Sequence, residues 1–420
     1  MNPSLARALY SALLRLITPL YLLRLWRRGK AEPLYRQFVG ERFGFYNSSE
    51  PSSGWLWVHA VSLGETRAAS ALINALRERQ PDLKLLLTHG TATGREAGRE
   101  LLHEGDAQSW VPFDTPGSVR RFFQHWQPRV GVLMETEIWP NLLHFAPCPM
   151  VLANARLSER SARRGQRFAA LLHPAAARVS LALAQTEADA ARMRQAGAPE
   201  VRVMGNLKYD MQPDAALVAR GQQWRAALQR PVLLAAVTRE GEEAMLLEAW
   251  RALPAATKPL LLIVPRHPQR FDEVAALVRA EGLVLARRSE WTDEPPAAAM
   301  QADAWLGDSM REMALYYGLS DAALLGGSFA PLGGQNLIEA AACGCPIVMG
   351  PHTFNFAEAS QLAEQAGAAQ RVADIEAGLN AALTLCVDAS RRAQASQRAQ
   401  AFANQHRGAA ARMAEAVIAL

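Results

Sequence analysis

The stretch Gly326–Glu339, GGSFAPLGGQNLIE, holds the residue types that a nucleotide site needs. Gly333 and Gly334 lack Cβ atoms, which lets backbone N–H groups approach an anion closely. Asp321–Leu325 before them suits a buried parallel strand. Asn336–Ala342 after them favours helix, and Gly344 would close it. The glycines therefore fall on a strand-to-helix turn, where the helix start adds positive potential. Glu339, one turn in, repels phosphate but can accept hydrogen bonds from two ribose hydroxyls, as the acid of dinucleotide folds does. A plainer reading makes the glycines tight-turn residues and Glu339 a solvated helix acid. Glycine pair and acid on one turn favour the nucleotide site.

Other reactive side chains also stand where strand signals end. His59–Glu65 (HAVSLGE) leaves a strand, turns at Gly64 and puts Glu65 at a helix start. The helix dipole there holds a carboxylate pKa down unless burial raises it. An ionised acid in that place suits a general base acting on a hydroxyl, or is an ordinary first-turn acid. Met134-Glu135-Thr136-Glu137 closes an apolar strand. If that strand continues, Glu135 and Glu137 share a face and could bind a metal; otherwise one is a cap. Gly205-Asn206-Leu207-Lys208 delivers a lone cation. Pro265-Arg266-His267-Pro268 offers an Arg able to clamp a phosphate. Asp308–Glu312 (DSMRE) opens a helix whose backbone N–H groups could meet the same phosphate. None of these is specific alone; their shared placement at strand ends is the stronger signal.

The elements that position them alternate strand and helix. Trp55–Val61, Lys84–Thr88, Val130–Met134, Met150–Ala153, Ser180–Ala184 and Glu200–Met204 read as short buried strands. Met211–Gln229 turns polar and marks a junction. A second series follows: Pro231–Val237, Pro259–Val264, Leu283–Ala286, Ala302–Leu306, Ala322–Leu325 and Pro346–Met349. This α/β alternation predicts two doubly wound parallel sheets, covered on both faces, with ligands outside the carboxyl ends of the strands. The divisions are an N-terminal segment at 1–30, a first domain at 31–210, a linker at 211–229, a second domain at 230–388 and C-terminal helices at 389–420.

Composition limits the partners. Half of the 420 residues are hydrophobic and a fifth charged, as in packed globular proteins. The first 42 residues hold seven Arg and one Lys against two Glu, a balance of +6, while the whole chain carries +5. The body is therefore near neutral and has no basic stripe for nucleic acid. Cys148, Cys343, Cys345 and Cys386 do not suggest a disulfide framework, and Cys343 and Cys345 have no His nearby to complete a metal site. From Leu5 to Trp26 the chain is apolar but interrupted by Arg7, Arg15 and Arg24, with Pro19 bending it. Only eight uncharged residues separate Arg15 from Arg24, far short of the roughly 20 of a spanning helix. A helix in the interface of an anionic membrane, a short anchor with snorkelling arginines, or a helix packed on the body all fit. Arg27, Arg28 and Lys30 would face acidic headgroups.

Ordered motifs run along nearly the whole chain: HAVSLGE (59–65), METEIWPNL (134–142), NARLSERS (154–161), GNLKYD (205–210), PRHP (265–268), LGDSM (306–310), GGQNLIEAA (333–341) and MGPHTFNF (349–356). In these the sequence resembles the 3-deoxy-D-manno-octulosonic acid (Kdo) transferases of Gram-negative bacteria, which build the inner core of lipopolysaccharide. The resemblance implies a GT-B fold: two Rossmann-like doubly wound domains facing a cleft, with a membrane-associated N-terminal helix. It implies CMP-Kdo as co-substrate, with no cofactor and no metal. The implied acceptor is a lipid A precursor on the cytoplasmic face of the inner membrane. Glu65 would be the proton acceptor, and Glu135 and Lys208 would assist the transition state. CMP would be held by Pro265, Arg266, His267, Met310, Arg311, Glu312, Gly333, Gly334, Asn336, Leu337, Ile338 and Glu339. No oligomeric state follows.

Three stretches depart from the family's common pattern. Val237-Thr238-Arg239 stands where Ser-Thr-His is frequent, Arg311 where Gly is, and Gln335, Leu337 and Ile338 vary the Gly-Gly-His-Asn-Pro-Leu-Glu run. Because CMP is already a good leaving group, the site must supply a base for the acceptor hydroxyl and positive charge for the departing phosphate. Glu65 suits the first task, Arg266 or Lys208 the second. The chain has no Asp-x-Asp for a metal-bridged diphosphate. Two rivals remain: a UDP-sugar glycosyltransferase or epimerase of the same architecture, and a non-catalytic membrane-attached nucleotide-binding scaffold.

Overall fold

Short runs of Leu, Val and Ala, bounded by turn residues, assemble into parallel sheets whose strands are buried on both faces. The computed structural model describes residues 2–46, 52–210, 212–254 and 258–420. The chain divides into two compact units, residues 1–210 with 407–420 and residues 211–406.

Unit 1 holds β1 (Leu56–His59), β2 (Leu85–His89), β3 (Ala107–Trp110), β4 (Val130–Met134), β5 (Met150–Ala155), β6 (Leu181–Ala184) and β7 (Val201–Val203). Their order is β3-β2-β1-β4-β5-β6-β7, every neighbour parallel. Side chains alternate between faces along each strand. Leu56 and Val58 meet Leu72 and Ile73 of α2 (Leu63–Arg79) and Met413 of the last helix on one side, while Trp57 packs with Phe122 and Phe123 on the other. β3 was not legible: its AQSW sequence is half exposed at the sheet edge and offers no apolar run.

Unit 2 holds β8 (Val232–Thr238), β9 (Leu260–Pro265), β10 (Leu285–Arg287), β11 (Ala304–Leu306), β12 (Ala322–Leu325), β13 (Ile347–Met349) and β14 (Ala369–Arg371). Their order is β10-β11-β9-β8-β12-β13-β14, again parallel. The stretch read as a linker contains the helix Ala215–Leu228, which belongs to this unit. It crosses Met313–Leu319 at glycines: a Cβ on Gly221 would stand 2.2 Å from the Leu315 carbonyl oxygen, and one on Gly318 2.5 Å from that of Val218. Small residues replace an apolar stripe at this contact, so hydrophobic periodicity could not reveal it. The C-terminal stretch is likewise divided. Ala389–Gln405 lies in unit 2, whereas Ala409–Ile418 returns to unit 1, where Asp210 accepts the Ala410 N–H at 2.6 Å.

The N-terminal helix α1 (Pro3–Arg28) runs unbroken through Pro19. One side is docked on unit 1: the Tyr10 hydroxyl donates to Asp114 at 2.9 Å, and Ser11 shares hydrogen bonds with Asn141. The other side exposes Leu5, Leu9, Leu13, Leu16, Leu20 and Trp26, with Leu16 75% and Leu20 69% accessible. Contrary to the expectation from its spaced arginines, α1 is by length and composition alone long and apolar enough to cross a membrane.

In a doubly wound sheet the strand order reverses at one point, and the connections leaving the two strands there diverge, opening a crevice. In unit 1 that point lies between β1 and β4; in unit 2 it lies between β8 and β12.

Candidate active site

In unit 1, His59 pairs in register with Leu133, so the connections beginning at Ala60 and Glu135 leave adjacent strands. Ser62 caps α2 by accepting the Glu65 N–H at 3.4 Å, and the Glu65 side chain reaches back past it. The Val61 N–H donates to Glu65 Oε2 at 2.8 Å and the Ser62 hydroxyl to Oε1 at 3.0 Å. Despite these donors and the helix start, burial dominates and pushes the Glu65 pKa up to about 7, with the charges of Glu135 and Glu137 adding to the rise. The helix end does not hold the carboxyl down as its position alone suggested. Desolvation penalises the ionised form more than the dipole favours it.

β4 stops at Met134, and Glu135 turns the chain at φ +57°, in the left-handed region. Glu135 and Glu137 therefore do not share a strand face as a metal pair. Glu137 instead accepts the Trp139 indole N–H, and burial raises its pKa. Among the described residues no group of three or more His, Cys, Asp or Glu side chains is arranged to hold a metal ion.

Lys208 sits in a short 3-10 turn, Leu207–Tyr209, held by a side-chain relay across the ends of β5, β6 and β7. Asn154 accepts the Leu207 N–H at 3.0 Å, Gln185 donates to the Asn154 carbonyl at 2.9 Å, and Asn206 donates to Gln185 at 2.9 Å. Asn154, at φ +52°, is fully buried. Asn154 opens the NARLSERS motif but was given no role from the sequence, and Gln185, just past β6, was not singled out.

In unit 2, β8 carries a bulge: its register with β9 shifts between Ala236 and Thr238, and Val237 lies at φ +58°. A β-branched residue in the left-handed region is strained by roughly 1–3 kcal/mol. The bulge re-aims Thr238 and Arg239 at the strand end. Buried Glu243 fixes Thr238, accepting its hydroxyl at 2.7 Å and pairing with Arg270 at 2.8 Å. Pro265 ends β9, and the exposed Arg266 donates its backbone N–H to Thr238 at 2.9 Å. His267 beside it is held below the usual histidine range, first by burial and then by the charges of Arg266 and Arg239. Arg239, noted from the sequence only as a departure, follows β8 as Arg266 follows the neighbouring β9, and its guanidinium pairs with Glu240 at 3.1 Å.

Across the reversal point, buried Glu242 organises the turn after β12. One carboxylate oxygen accepts the N–H groups of Arg239 and Gly327 at 2.9 and 2.6 Å; the other accepts those of Phe329 and Ala330 at 3.1 and 3.3 Å. This ties β8 to the glycine run, and Glu242 too was missed. A Cβ on Gly326 would fall 2.3 Å from the Val237 carbonyl oxygen. Gly333 and Gly334 adopt φ +92° and +74°, and the Gly334 N–H is spent on the Gly327 carbonyl at 2.7 Å. That N–H does not serve an anion as the sequence suggested. Asn336 caps Leu337–Ala342, a helix of six residues, by accepting the Ile338 N–H at 3.2 Å. The Leu337 and Ile338 side chains are buried in the core, so only their backbone remains for the binding role expected of them. Glu339 is half-buried in the first turn.

The third expected segment does not open a helix at Asp308, because the helix starts only at Met313. Asp308 is structural: Arg287 and Ser289 both donate to it at 2.7 Å. Glu312 pairs with Arg288 at 2.7 Å and accepts the Ser309 hydroxyl. These bonds pin the turn between them, leaving Met310 exposed and Arg311 at φ +67°, a conformation that explains why glycine is common there.

The sequence profile described as 3-Deoxy-D-manno-octulosonic-acid transferase (kdotransferase) matches residues 37–211. The 3-deoxy-D-manno-octulosonic acid transferase of Bordetella pertussis is 46% identical over 428 residues, covering 98% of this chain and 99% of that protein. The transferase of the same description from Haemophilus influenzae is 39% identical over 361 residues, covering 84% of each. Among solved structures, the UDP-GlcNAc 2-epimerase of Neisseria meningitidis bound to UDP-GlcNAc superposes with a TM-score of 0.56 at 14% identity, covering 87% of this chain and 100% of that one. At that identity the likeness is one of fold.

Proposed function

The chain belongs to the Kdo transferases, enzymes of lipopolysaccharide biosynthesis, and from that premise we propose that it moves Kdo from CMP-Kdo to a lipid A precursor without a metal, with Glu65 as general base. The observation that carries this reading is the half-buried carboxyl of Glu65, pushed up to about 7 by desolvation and by the charges of Glu135 and Glu137. A base with its pKa near the working pH is deprotonated often enough to act and basic enough to take a hydroxyl proton.

In this mechanism Glu65 takes the proton of the acceptor hydroxyl as its oxygen forms the bond to the anomeric carbon of Kdo. The bond from that carbon to the CMP phosphate oxygen breaks, and CMP leaves with the electron pair. CMP is a good leaving group, so the departing phosphate needs positive charge rather than a proton. Arg266 and Arg239 supply that charge in unit 2, and Lys208 supplies it in unit 1. Glu339 receives the ribose hydroxyls, while the backbone of Asn336 to Ile338 and the Met310–Glu312 turn border the nucleotide. Glu135 steadies charge developing beside the base.

The lipid acceptor stays in a bilayer, and α1 supports attachment to it. Its exposed leucine face supplies apolar area, and exposed Arg24, Arg27, Arg28 and Lys30 supply attraction to anionic lipid. The reading places the protein on the cytoplasmic face of the inner membrane. The test is direct: incubate the protein with CMP-Kdo and a lipid A precursor and weigh the lipid products. A mass gain of one or more Kdo residues supports the reading. Gain only with a UDP-sugar would favour the alternative donor, which the shared fold also accommodates.

A further inference from the structure

Arg42 is 2% exposed, yet no carboxylate pairs with it among the described residues. Its neighbour Glu41 is committed elsewhere, pairing with Arg95 at 2.6 Å and accepting the Trp110 backbone N–H at 2.8 Å. The Arg42 guanidinium lies over the Trp110 ring, 4.0 Å from its centroid, and reaches only the Gly90 carbonyl, at 3.4 Å. Its Nε–H has no acceptor among the described residues, and neither has the hydroxyl of buried Tyr35 beside it. Buried polar groups are normally satisfied, and a buried cation without a partner is costly. Two such groups together mark a place built for an anion. Burial lowers the Arg42 pKa to about 10, so the side chain stays charged at neutral pH.

Both groups line two adjoining cavities. One, of about 440 Å³, runs between α1 and the ends of β1 and β2, past Leu14, Ile17 and Phe113 to Val61, whose N–H holds Glu65. The other, of about 490 Å³, opens at Leu22, Leu23 and Trp26 on the exposed side of α1. The shared wall is Leu25, Tyr35 and Arg42. The two cavities therefore meet at Leu25, Tyr35 and Arg42, between the exposed leucines of α1 and Val61, and the unpartnered Nε–H of Arg42 lies at that meeting point. Two acids also line the first cavity, but both are engaged. Asp114 accepts from Tyr10 and from the backbone of Asn141 and Leu142, and Glu137 accepts from Trp139. Arg28, at the rim, pairs with Glu32 and lies over the Tyr35 ring.

We propose that this groove holds the phosphate-bearing, acylated end of the lipid acceptor, with Arg42 and Tyr35 on phosphate oxygens and one acyl chain along the α1 wall. The proposal rests on the reading that the acceptor is an acylated, phosphorylated sugar. It adds which element of unit 1 selects that acceptor.

The test compares kcat/KM for the doubly phosphorylated lipid acceptor and its two mono-dephosphorylated forms, using wild type, R42Q and Y35F. Charge-assisted hydrogen bonds predict that loss of one particular phosphate costs wild type about 10–100-fold. R42Q should show that loss with the intact acceptor and no further loss on dephosphorylation, with CMP affinity unchanged. Y35F, which removes only an unpartnered hydroxyl, should show a smaller version of the same pattern and serves if R42Q does not fold. Equal sensitivity to dephosphorylation in wild type and variants would overturn the proposal. I17W, narrowing the groove, should raise KM for the acylated acceptor but not for a deacylated one; equal effects on both would overturn the acyl assignment. If wild type transferred Kdo to no lipid at all, the functional reading would fall first, and this proposal with it.

Discussion

Glu65 and Val61 are joined by a backbone hydrogen bond of 2.8 Å that aims the carboxylate along the connection leaving β1. The bond favours the ionised acid, burial opposes it more strongly, and the balance leaves the pKa at about 7.

Transfer should therefore depend on pH through that value. Below about pH 7 Glu65 is protonated and cannot accept the acceptor's proton, so kcat/KM should fall tenfold per unit on the acid side. Because the charge of Glu135 helps raise this pKa, E135Q should move the acid limb to lower pH even where it slows transfer. The linkage runs the other way for stability. A carboxyl whose pKa is raised from 4.5 to about 7 on folding stabilises the folded state at low pH, and that contribution is lost as pH rises through about 7. Rate profiles between pH 5 and 9, a range spanning about two units either side of the pKa, read the acid limb and its shift in E135Q. An acid limb unmoved by E135Q would separate the two carboxylates.

Glu339→Ala should weaken CMP binding. Hydrogen bonds from neutral donors to a carboxylate contribute about 1.5–3 kcal/mol, so the dissociation constant should rise about 10–100-fold. Calorimetry finding unchanged affinity would remove Glu339 from the ribose. Because its side chain is only half-buried, folding should be little affected.

Attachment to membranes should depend on the outer face of α1. Removing the whole helix would also strip Tyr10 from Asp114 and Ser11 from Asn141, confusing folding with attachment. L16E with L20E instead changes two residues that are 75% and 69% exposed. The double variant should bind CMP normally, sediment less with anionic liposomes, and lose more activity on acceptor in vesicles than in detergent. High salt should release part of the intact protein, since screening weakens the electrostatic attraction but not apolar insertion. Undiminished sedimentation of the variant would mean that another surface of unit 1 carries the attachment.

The strand ends were legible in the sequence because parallel strands buried on both faces read as short apolar runs, and reactive residues follow them. Glu65, Glu135, Lys208, Arg266 and Glu339 were all proposed on that ground. What escaped were the residues that hold those strand ends in place. Glu242, Asn154 and Gln185 act through backbone groups brought close only by the strand order, which local pattern does not contain. Edge strands β3 and β14 are short and partly exposed, so they lack the apolar signal. The helix Ala215–Leu228 packs through Gly221, where absence of a side chain is the contact. The hydrogen bond of Gly334 escaped for a related reason: a glycine suited to an anion is equally suited to the Gly327 carbonyl, which its N–H meets at 2.7 Å.

The most direct test of the account is the single-turnover rate of Kdo transfer by Glu65→Gln, measured together with its affinity for CMP. Gln keeps the shape and the Val61 hydrogen bond but cannot take a proton. Transfer should fall by about 10²–10⁴-fold while CMP affinity stays at the wild-type value. A variant that transferred Kdo within a few-fold of wild type would show Glu65 to be a capping acid of α2, and the base would have to be sought elsewhere.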